Sequence, residues 1–140
     1  MPTYDQLTSW APRILGAFRI IAGAMFACYG AMKLFGAFGG IPPGAAPWWI
    51  IWIAGPLEFF GGVLLALGLF TRPVAFLCSG LMAVAYFYGH FWPYVGKPLG
   101  FFPIVNQGTD AILFCWIWLY IFAAGPGAWA VDNAIGRRRA

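Results

Sequence analysis

The chain has 140 residues, of which 62% are hydrophobic and only 9% are charged. A water-soluble domain of this size does not tolerate such a composition, so lipid must be the solvent for most of the surface. The formal net charge of +4 would suggest a polyanion partner in a soluble protein. In a membrane protein, the positions of the cations along the chain are more informative than their sum.

Four apolar stretches of about 20 residues each fill the chain and predict an all-α membrane protein with a bundle of four transmembrane helices. The predicted spans cover residues 14–36, 48–70, 74–92 and 107–124. A short interfacial segment with Trp10 as its anchor precedes the first span, and a basic tail follows the last one. Residues 1–140 are therefore predicted to form a single membrane domain.

The cations predict the orientation of the bundle. Arg13, Arg72 and the three arginines at residues 137–139 fall on one side of an even number of spans. The positive-inside rule makes that side cytoplasmic, so both termini are predicted to face the cytoplasm. We interpret the terminal arginines as a topology signal, and no nucleic acid partner is predicted.

Small residues predict where the helices pack. Gly16, Gly23 and Gly30 recur every seventh residue along the first span, and Glu58 lies within a similar glycine stripe on the second. Lipid supplies no hydrophobic drive between helices, so close backbone approach must hold them together. The carboxyl group of Glu58 is therefore predicted to point into a helix interface.

Charged or amide side chains occur in or beside every span, although hydrocarbon strongly disfavours such groups. We therefore expect these side chains to turn away from lipid and to meet one another inside the bundle. The predicted members of this buried polar cluster are Arg19, Lys33, Glu58, His90, Asn106 and Asp110.

Each member of the cluster also has a structural interpretation. The Glu58 carboxyl can become neutral or can pair with Arg19 or Lys33, the only cations within the predicted spans, which would fix the helix register. Lys33 can instead reach out to the lipid headgroups. Histidine exchanges protons near neutral pH, but a lone residue such as His90 is also a common interfacial hydrogen-bonding group. Asn106 and Asp110 lie one helical turn apart and are predicted to cap the fourth span. No metal site is predicted, because His90 and Asp110 lack a clear third ligand.

The connection at residues 93–106 is rich in proline, glycine and aromatic residues, and is either an ordered lid at the outer surface or an idle loop. Lys33, His90 and Asp110 are predicted to reach the same depth beneath it. A pocket at this level would suit the polar head of a quinone-like ring, bound non-covalently. The residues predicted to line the pocket are Tyr86, Phe87, Phe101 and Phe102.

Several short motifs are spread from about Arg13 to Asp132. They are Arg19-Ile20, Lys33-Leu34-Phe35-Gly36, Gly55-Pro56-Leu57-Glu58, Gly68-Leu69-Phe70-Thr71-Arg72-Pro73, Ala85-Tyr86, Asn106-Gln107-Gly108 and Ala124-Gly125-Pro126-Gly127. As a set they resemble the DoxX family of small four-span bacterial and archaeal membrane proteins. The family usually has Glu directly after Asn-Gln-Gly, whereas here Thr109 is followed by Asp110.

The resemblance implies a four-helix bundle in the cytoplasmic (inner) membrane of a bacterium or archaeon. The family is named for a subunit of a thiosulfate:quinone oxidoreductase, which implies a link to quinone or to sulfur and thiol redox chemistry, and other membrane proteins as partners. The sequence carries no flavin, haem or iron–sulfur signature, so a redox centre would belong to a partner or to a bound quinone. Whether the chain is itself an enzyme stays open.

Two functions are compatible with these features. In the first, the chain is a membrane subunit of a quinone- or sulfur/thiol-linked oxidoreductase, in which Glu58, His90 and Asp110 handle protons while Lys33 and Arg19 offset charge. In the second, it is a non-catalytic accessory subunit of a larger membrane assembly, and its ion pairs only stabilise the bundle. Solute transport would need a homo-oligomer, because four short spans leave little room for alternating access.

Overall fold

The computed structural model describes residues 3–137, and these contain helices and no strand. Three helices are long and apolar enough to cross a membrane: α1 (Tyr4–Phe35), α2 (Ile50–Leu67) and α3 (Thr71–Tyr94). A fourth apolar helix, α5 (Thr109–Ala124), lies between two short ones, α4 (Pro103–Asn106) and α6 (Val131–Arg137). The prediction of an all-α membrane protein is thus confirmed.

The first helix begins at Tyr4, ten residues before the predicted start at Ile14. Thr3 and Gln6 start it with a capping box, in which the Thr3 amide donates to Gln6 Oε1 at 2.9 Å and the Gln6 amide donates to the Thr3 hydroxyl at 3.4 Å. The segment around Trp10, predicted as a separate interfacial element, is therefore a continuous part of α1.

The fourth apolar helix is shorter than the predicted span of residues 107–124. With 16 residues, α5 is about 24 Å long, whereas the hydrocarbon core of a bilayer is about 30 Å thick. Its length alone does not make it a span. The four-span topology and the cytoplasmic position of both termini therefore stay predictions, and the last two arginines of the basic tail lie outside the described residues.

Two helices widen into π turns at the same end of the molecule. The first five residues of α2, Ile50–Ala54, and a stretch of α3, Ala85–Phe91, have π geometry. The remainder of α3, Trp92–Tyr94, tightens into a 3₁₀ turn. Such π segments occur frequently at functional sites, and His90 lies in the second of them.

The helices pack as two close pairs, α1 along α2 and α3 along α5. At Gly23 the α1 backbone lies directly on α2, because a side-chain carbon there would come within 2.6 Å of the Ala66 amide nitrogen. Gly30 meets the α2 backbone in the same way. Gly16, however, faces the backbone of Ala128 after α5. The predicted glycine stripe is thus the contact surface of α1, shared between two partners.

An aromatic core separates the two ends of the bundle. The ring of Phe26 lies 5.1 Å from that of Phe114 and 5.3 Å from that of Trp118, measured between centroids. Leu65 from α2 and Ile121 from α5 are fully buried beside them. Polar side chains gather on either side of this core, and the two groups differ in character.

Candidate functional site

At the end of the bundle where α2 stops, the buried guanidinium of Arg19 binds backbone carbonyl groups. It donates to two last-turn carbonyls of α2, of which that of Leu65 also accepts from the Gly68 amide at 3.1 Å, and to the chain that follows α5. The acceptors are Leu65 and Ala66 at 2.6 Å, Pro126 at 2.7 Å, and Ala128 and Trp129 at 3.2 Å. Although Arg19 was predicted to join the polar cluster, the structure uses it to tie three segments together.

Asp132 completes this end by capping α3. Its carboxylate accepts hydrogen bonds at 2.8 Å from the backbone amides of Phe70 and Thr71, two amides that the helix itself leaves unpaired. Burial opposes ionisation of the carboxyl, but the hydrogen bonds from Thr71 and Phe70, together with the charge of Arg19, outweigh it and lower the pKa of Asp132.

At the opposite end lies a cavity of about 150 Å³, here called the polar cavity. Four of the six residues predicted for the buried cluster line it, one from each of α1, α2, α3 and α5: Lys33, Glu58, His90 and Asp110. Its other walls come from the aromatic core and from the loop before α5, and include Phe26, Tyr29, Met82, Gln107 and Phe114.

An ion pair between Lys33 and Glu58 crosses the cavity wall from α1 to α2. The lysine ammonium donates a hydrogen bond to the Glu58 carboxylate. The Glu58 side chain is only 4% exposed and that of Lys33 is 14% exposed, so the pair is shielded from its surroundings. Of the two alternatives for Lys33, pairing is therefore the one that the structure adopts.

A second polar contact joins α1 to α5. The hydroxyl of Tyr29 donates to the carboxylate of Asp110 at 2.6 Å. Asp110 lies in the first turn of α5, where the helix dipole favours a negative charge. It is exposed, so the cavity opens to the outside here. Sequence reasoning missed Tyr29, although it precedes Lys33 by one helical turn and therefore shares its face.

Asn106 supports the site without lining the cavity. Its side chain is buried and bonds its own loop, donating to the Gly100 carbonyl and accepting from the Gly108 amide, both at 2.9 Å. The predicted cap is thus a local turn, and α5 receives no side-chain cap from the described residues. The backbone carbonyl of Asn106 lies 3.3 Å from Nδ1 of His90, and so it orients the imidazole.

The aromatic residues predicted to line a pocket lie elsewhere. Tyr86 is buried, and its hydroxyl donates to the carbonyl of Phe101 in the loop over α3. Phe87, Phe101 and Phe102 are each more than half exposed and do not line the polar cavity. The Tyr86 hydroxyl is thus bound to the loop and is not available to a ligand. The aromatic residues that do line the polar cavity are Phe26, Tyr29 and Phe114.

Comparison with known proteins bears on this arrangement. The DoxX family model matches residues 14–91, which is more than half of the chain and includes Lys33, Glu58 and His90. The chain belongs to the DoxX family. An uncharacterized protein of Haemophilus influenzae is 39% identical over 133 residues, which covers 92% of this chain and 96% of that relative. No solved structure matches the chain.

This DoxX protein brings a cation, two carboxylates, a phenol and an imidazole around one small cavity. Such a set can donate and accept hydrogen bonds and can exchange protons. Within residues 3–137, no three His, Cys, Asp or Glu side chains lie close enough to hold a metal ion. The three cysteines are free thiols.

Proposed function

We propose that this DoxX protein is an integral membrane subunit whose polar cavity binds the head of a quinone-like ring and exchanges protons with it, in association with an oxidoreductase. The observation that supports this proposal is the convergence of Lys33, Glu58, His90 and Asp110 from four helices on one cavity. Ionisable groups inside a membrane are costly and therefore rare. Where they occur, they commonly mark ligand-binding sites or proton pathways.

The dimensions of the cavity favour a single ring. A cavity of about 150 Å³ lined by apolar side chains is known to hold one benzene molecule, and the polar cavity has this volume. Phe26, Phe114 and Met82 offer an apolar wall, while the Lys33 ammonium offers a hydrogen-bond donor. A flat ring with carbonyl groups on its rim can pack its face on the apolar side chains and accept a hydrogen bond at its edge.

The chain's own residues would bind the ring and supply protons. When bound, a quinone takes up electrons and protons together. Lys33 is placed to donate hydrogen bonds to ring oxygens, and the Lys33–Glu58 pair keeps the ammonium in position. The Tyr29 hydroxyl can donate to the ring only when it releases Asp110, because a phenol has one proton to donate. Asp110 is exposed and His90 is half-buried, and both line the cavity, where they can renew protons from outside. Electrons would come from a partner protein.

The same proposal includes the topology. We propose that α5 spans the membrane as the fourth helix, because it packs along α3 over its apolar length. Arg13 and Arg72 then mark the cytoplasmic face, and the polar cavity opens toward the outer face. Lys33 near the end of α1 and Asp110 at the start of α5 would both lie close to the outer interface.

A binding titration tests the proposal. The protein in lipid nanodiscs is titrated calorimetrically with a quinone that carries no side chain, and Lys33→Gln and His90→Gln are compared with wild type. We expect binding to wild type and a loss of about tenfold in Lys33→Gln, which removes a charged hydrogen-bond donor to the ring. His90→Gln removes a proton source without removing a contact to the ring, so its affinity should stay close to that of wild type. Lys97→Gln is the matched control, because Lys97 lies over the Tyr94 ring at 4.3 Å and outside the cavity.

The accessory-subunit alternative predicts a different pattern. If wild type shows no saturable binding at two temperatures, or if Lys33→Gln binds as tightly as wild type, the cavity does not hold the ring. Substitutions of the ion pair would then lower only the stability of the bundle or its assembly with a partner. The quinone-binding proposal would be wrong in either case.

A further inference from the structure

A groove with apolar walls runs between α1 and α5, below the polar cavity. Its volume is about 190 Å³. Ile21 and Met25 line it from α1, and Leu113 and Ile117 line it from α5. Ile21, Met25 and Leu113 are 61%, 54% and 55% exposed, so the groove is open along its length to whatever surrounds the bundle. For apolar side chains in a membrane protein, that surrounding is lipid.

The groove and the polar cavity are continuous. Tyr29, Asp110 and Phe114 line both of them. The hydrogen bond from Tyr29 to Asp110 lies where they meet and is the polar contact that bridges α1 and α5 at this point. A molecule in the groove therefore meets charged and hydrogen-bonding groups at only one end.

The direction of the groove matches that of a lipid-like molecule in a leaflet. Starting from Tyr29, the lining residues Met25, Ile21 and Phe18 lead away from Lys33 by about 16 Å along α1. An amphiphile in a bilayer holds its polar head near the interface and its chain toward the midplane. The polar cavity lies near the end of α1, where the head would be, and the apolar groove lies beneath it, where the chain would be.

We infer that the groove holds the apolar chain of a membrane-dissolved amphiphile whose head occupies the polar cavity, and that this ligand enters sideways from lipid between α1 and α5. The inference rests on the proposed function and adds the class of ligand, a small ring with one long chain, and its route. Tyr29 and Asp110 stand at the junction, so their hydrogen bond must open for the head to pass.

Another cavity of about 160 Å³ shares Lys33, Glu58 and His90 with the polar cavity but lies between α2 and α3. Trp49, Ile50 and Gly89 form its far side, at the π turns next to the connecting loops. Leu81 and Val84 also line it, so along α3 it runs from Gly89 to Leu81, about 12 Å, which is shorter than the roughly 16 Å of the groove along α1. The groove between α1 and α5 is therefore the better path.

Two neighbouring isoleucines provide a matched test. Ile21 lines the groove, whereas Ile20 lies on another face of α1 and does not line it. We compare Ile21→Trp with Ile20→Trp by titrating the same quinone ring without a chain and with an isoprenoid chain. For wild type and Ile20→Trp, the chain should increase affinity about tenfold, a modest gain because the chain moves from lipid into a groove that is itself open to lipid. In Ile21→Trp this gain should disappear, while the chain-free ring binds as before.

The outcomes separate this inference from the proposal on which it rests. If the chain-free ring does not bind to wild type, both fail. If it binds and Ile21→Trp keeps the full gain from the chain, only the groove inference fails. The groove inference also fails if Ile21→Trp changes the oligomer size, because the groove would then be a contact between copies of the chain.

A photoreactive group at the end of the chain provides a second measurement. We expect labelling of α1 near Ile21 or of α5 near Leu113, and labelling near Trp49 or Gly89 would overturn the inference.

Discussion

Lys33 and Glu58 illustrate how a charged residue is kept inside this bundle. An isolated charge in a medium of low dielectric constant is very unfavourable, and it persists only when a partner and hydrogen bonds compensate it. Glu58 is nearly fully buried and receives that compensation from a single lysine on the neighbouring helix. Each member of the pair therefore depends on the other.

Removing one charge should cost more than removing both. We expect Glu58→Gln or Lys33→Met to lower the free energy of unfolding by about 3 kcal/mol, because each leaves an uncompensated buried charge. The double variant, Lys33→Met with Glu58→Gln, should lose less than either single variant, because it leaves no uncompensated charge. Unfolding in mixed micelles measures all three, and strictly additive losses would show that the two side chains are not coupled.

The hydroxyl of Tyr29 closes the junction between the polar cavity and the groove. Tyr29→Phe removes its hydrogen bond to Asp110 and should lower the free energy of unfolding by only about 1 kcal/mol. The same change should increase the association rate of a chain-bearing quinone severalfold in stopped-flow experiments. Tyr88→Phe, on an exposed face of α3, is the control for loss of a hydroxyl. A slower association in Tyr29→Phe would argue against a junction that opens.

At the scale of whole helices, arginines secure the ends opposite the cavity. Arg19 binds carbonyls at the end of α2, and Arg72 donates to the carbonyls of Phe122 and Ala123 at the end of α5, at 2.7 and 3.1 Å. The C-terminal end of a helix leaves carbonyl groups unpaired and carries a partial negative charge. A guanidinium donates hydrogen bonds to these carbonyls and offsets that charge. These contacts join α1 to the end of α2 and α3 to the end of α5.

A lysine cannot replace Arg19. The guanidinium donates to five carbonyls in a planar fork, whereas an ammonium has three donors and a different shape. We expect Arg19→Lys to lower the free energy of unfolding by at least about 2 kcal/mol. Arg13→Lys, at an exposed position of the same helix, should be neutral. Equal effects of the two substitutions would contradict the role of Arg19 as a tie between segments.

The cap on α3 should make stability depend on pH. The pKa of Asp132 is lowered below its ordinary value of 3.8, so its ionised form stabilises the fold above that pH. The contribution is lost as the pH falls from 3.8 through the lower folded value. Wild type should therefore have a higher melting temperature than Asp132→Asn at pH 7, and the difference should shrink at acidic pH. A constant difference across this range would exclude the ionised cap.

Seen as a whole molecule, the bundle has one end that is tied by hydrogen bonds and one end that is hollow. Sequence alone predicted the helices and the convergence of Lys33, Glu58, His90 and Asp110, because hydrocarbon penalises every unshielded polar group. Asp110 nevertheless stays exposed at the mouth of the cavity. Sequence did not predict the start of α1, since a capping box can extend a helix beyond its apolar part.

Other features escaped sequence reasoning for equally physical reasons. Arg19 binds carbonyls that become available to it only because α2 ends at Leu67, and Asn106 folds onto its own loop. Tyr29 counts as apolar in a composition profile, although its hydroxyl supplies a polar contact of the site. The π turn in α3 changes which residues share a face, and regular helical spacing does not reveal it.

The arrangement of charges at the hollow end can be measured in a lipid bilayer, because the chain has a single glutamate and two lysines. With ¹⁵N at the lysine ammonium, ¹³C at the glutamate carboxyl and Lys97→Arg to leave one lysine, solid-state dipolar recoupling reports on Lys33 and Glu58 alone. We expect the ¹⁵N of Lys33 to dephase the ¹³C carboxyl signal of Glu58 strongly, because an ion pair has an N···O distance under about 4 Å. A carboxyl signal that shows no coupling would mean that Lys33 points to the headgroups, and the polar cavity as described would not exist.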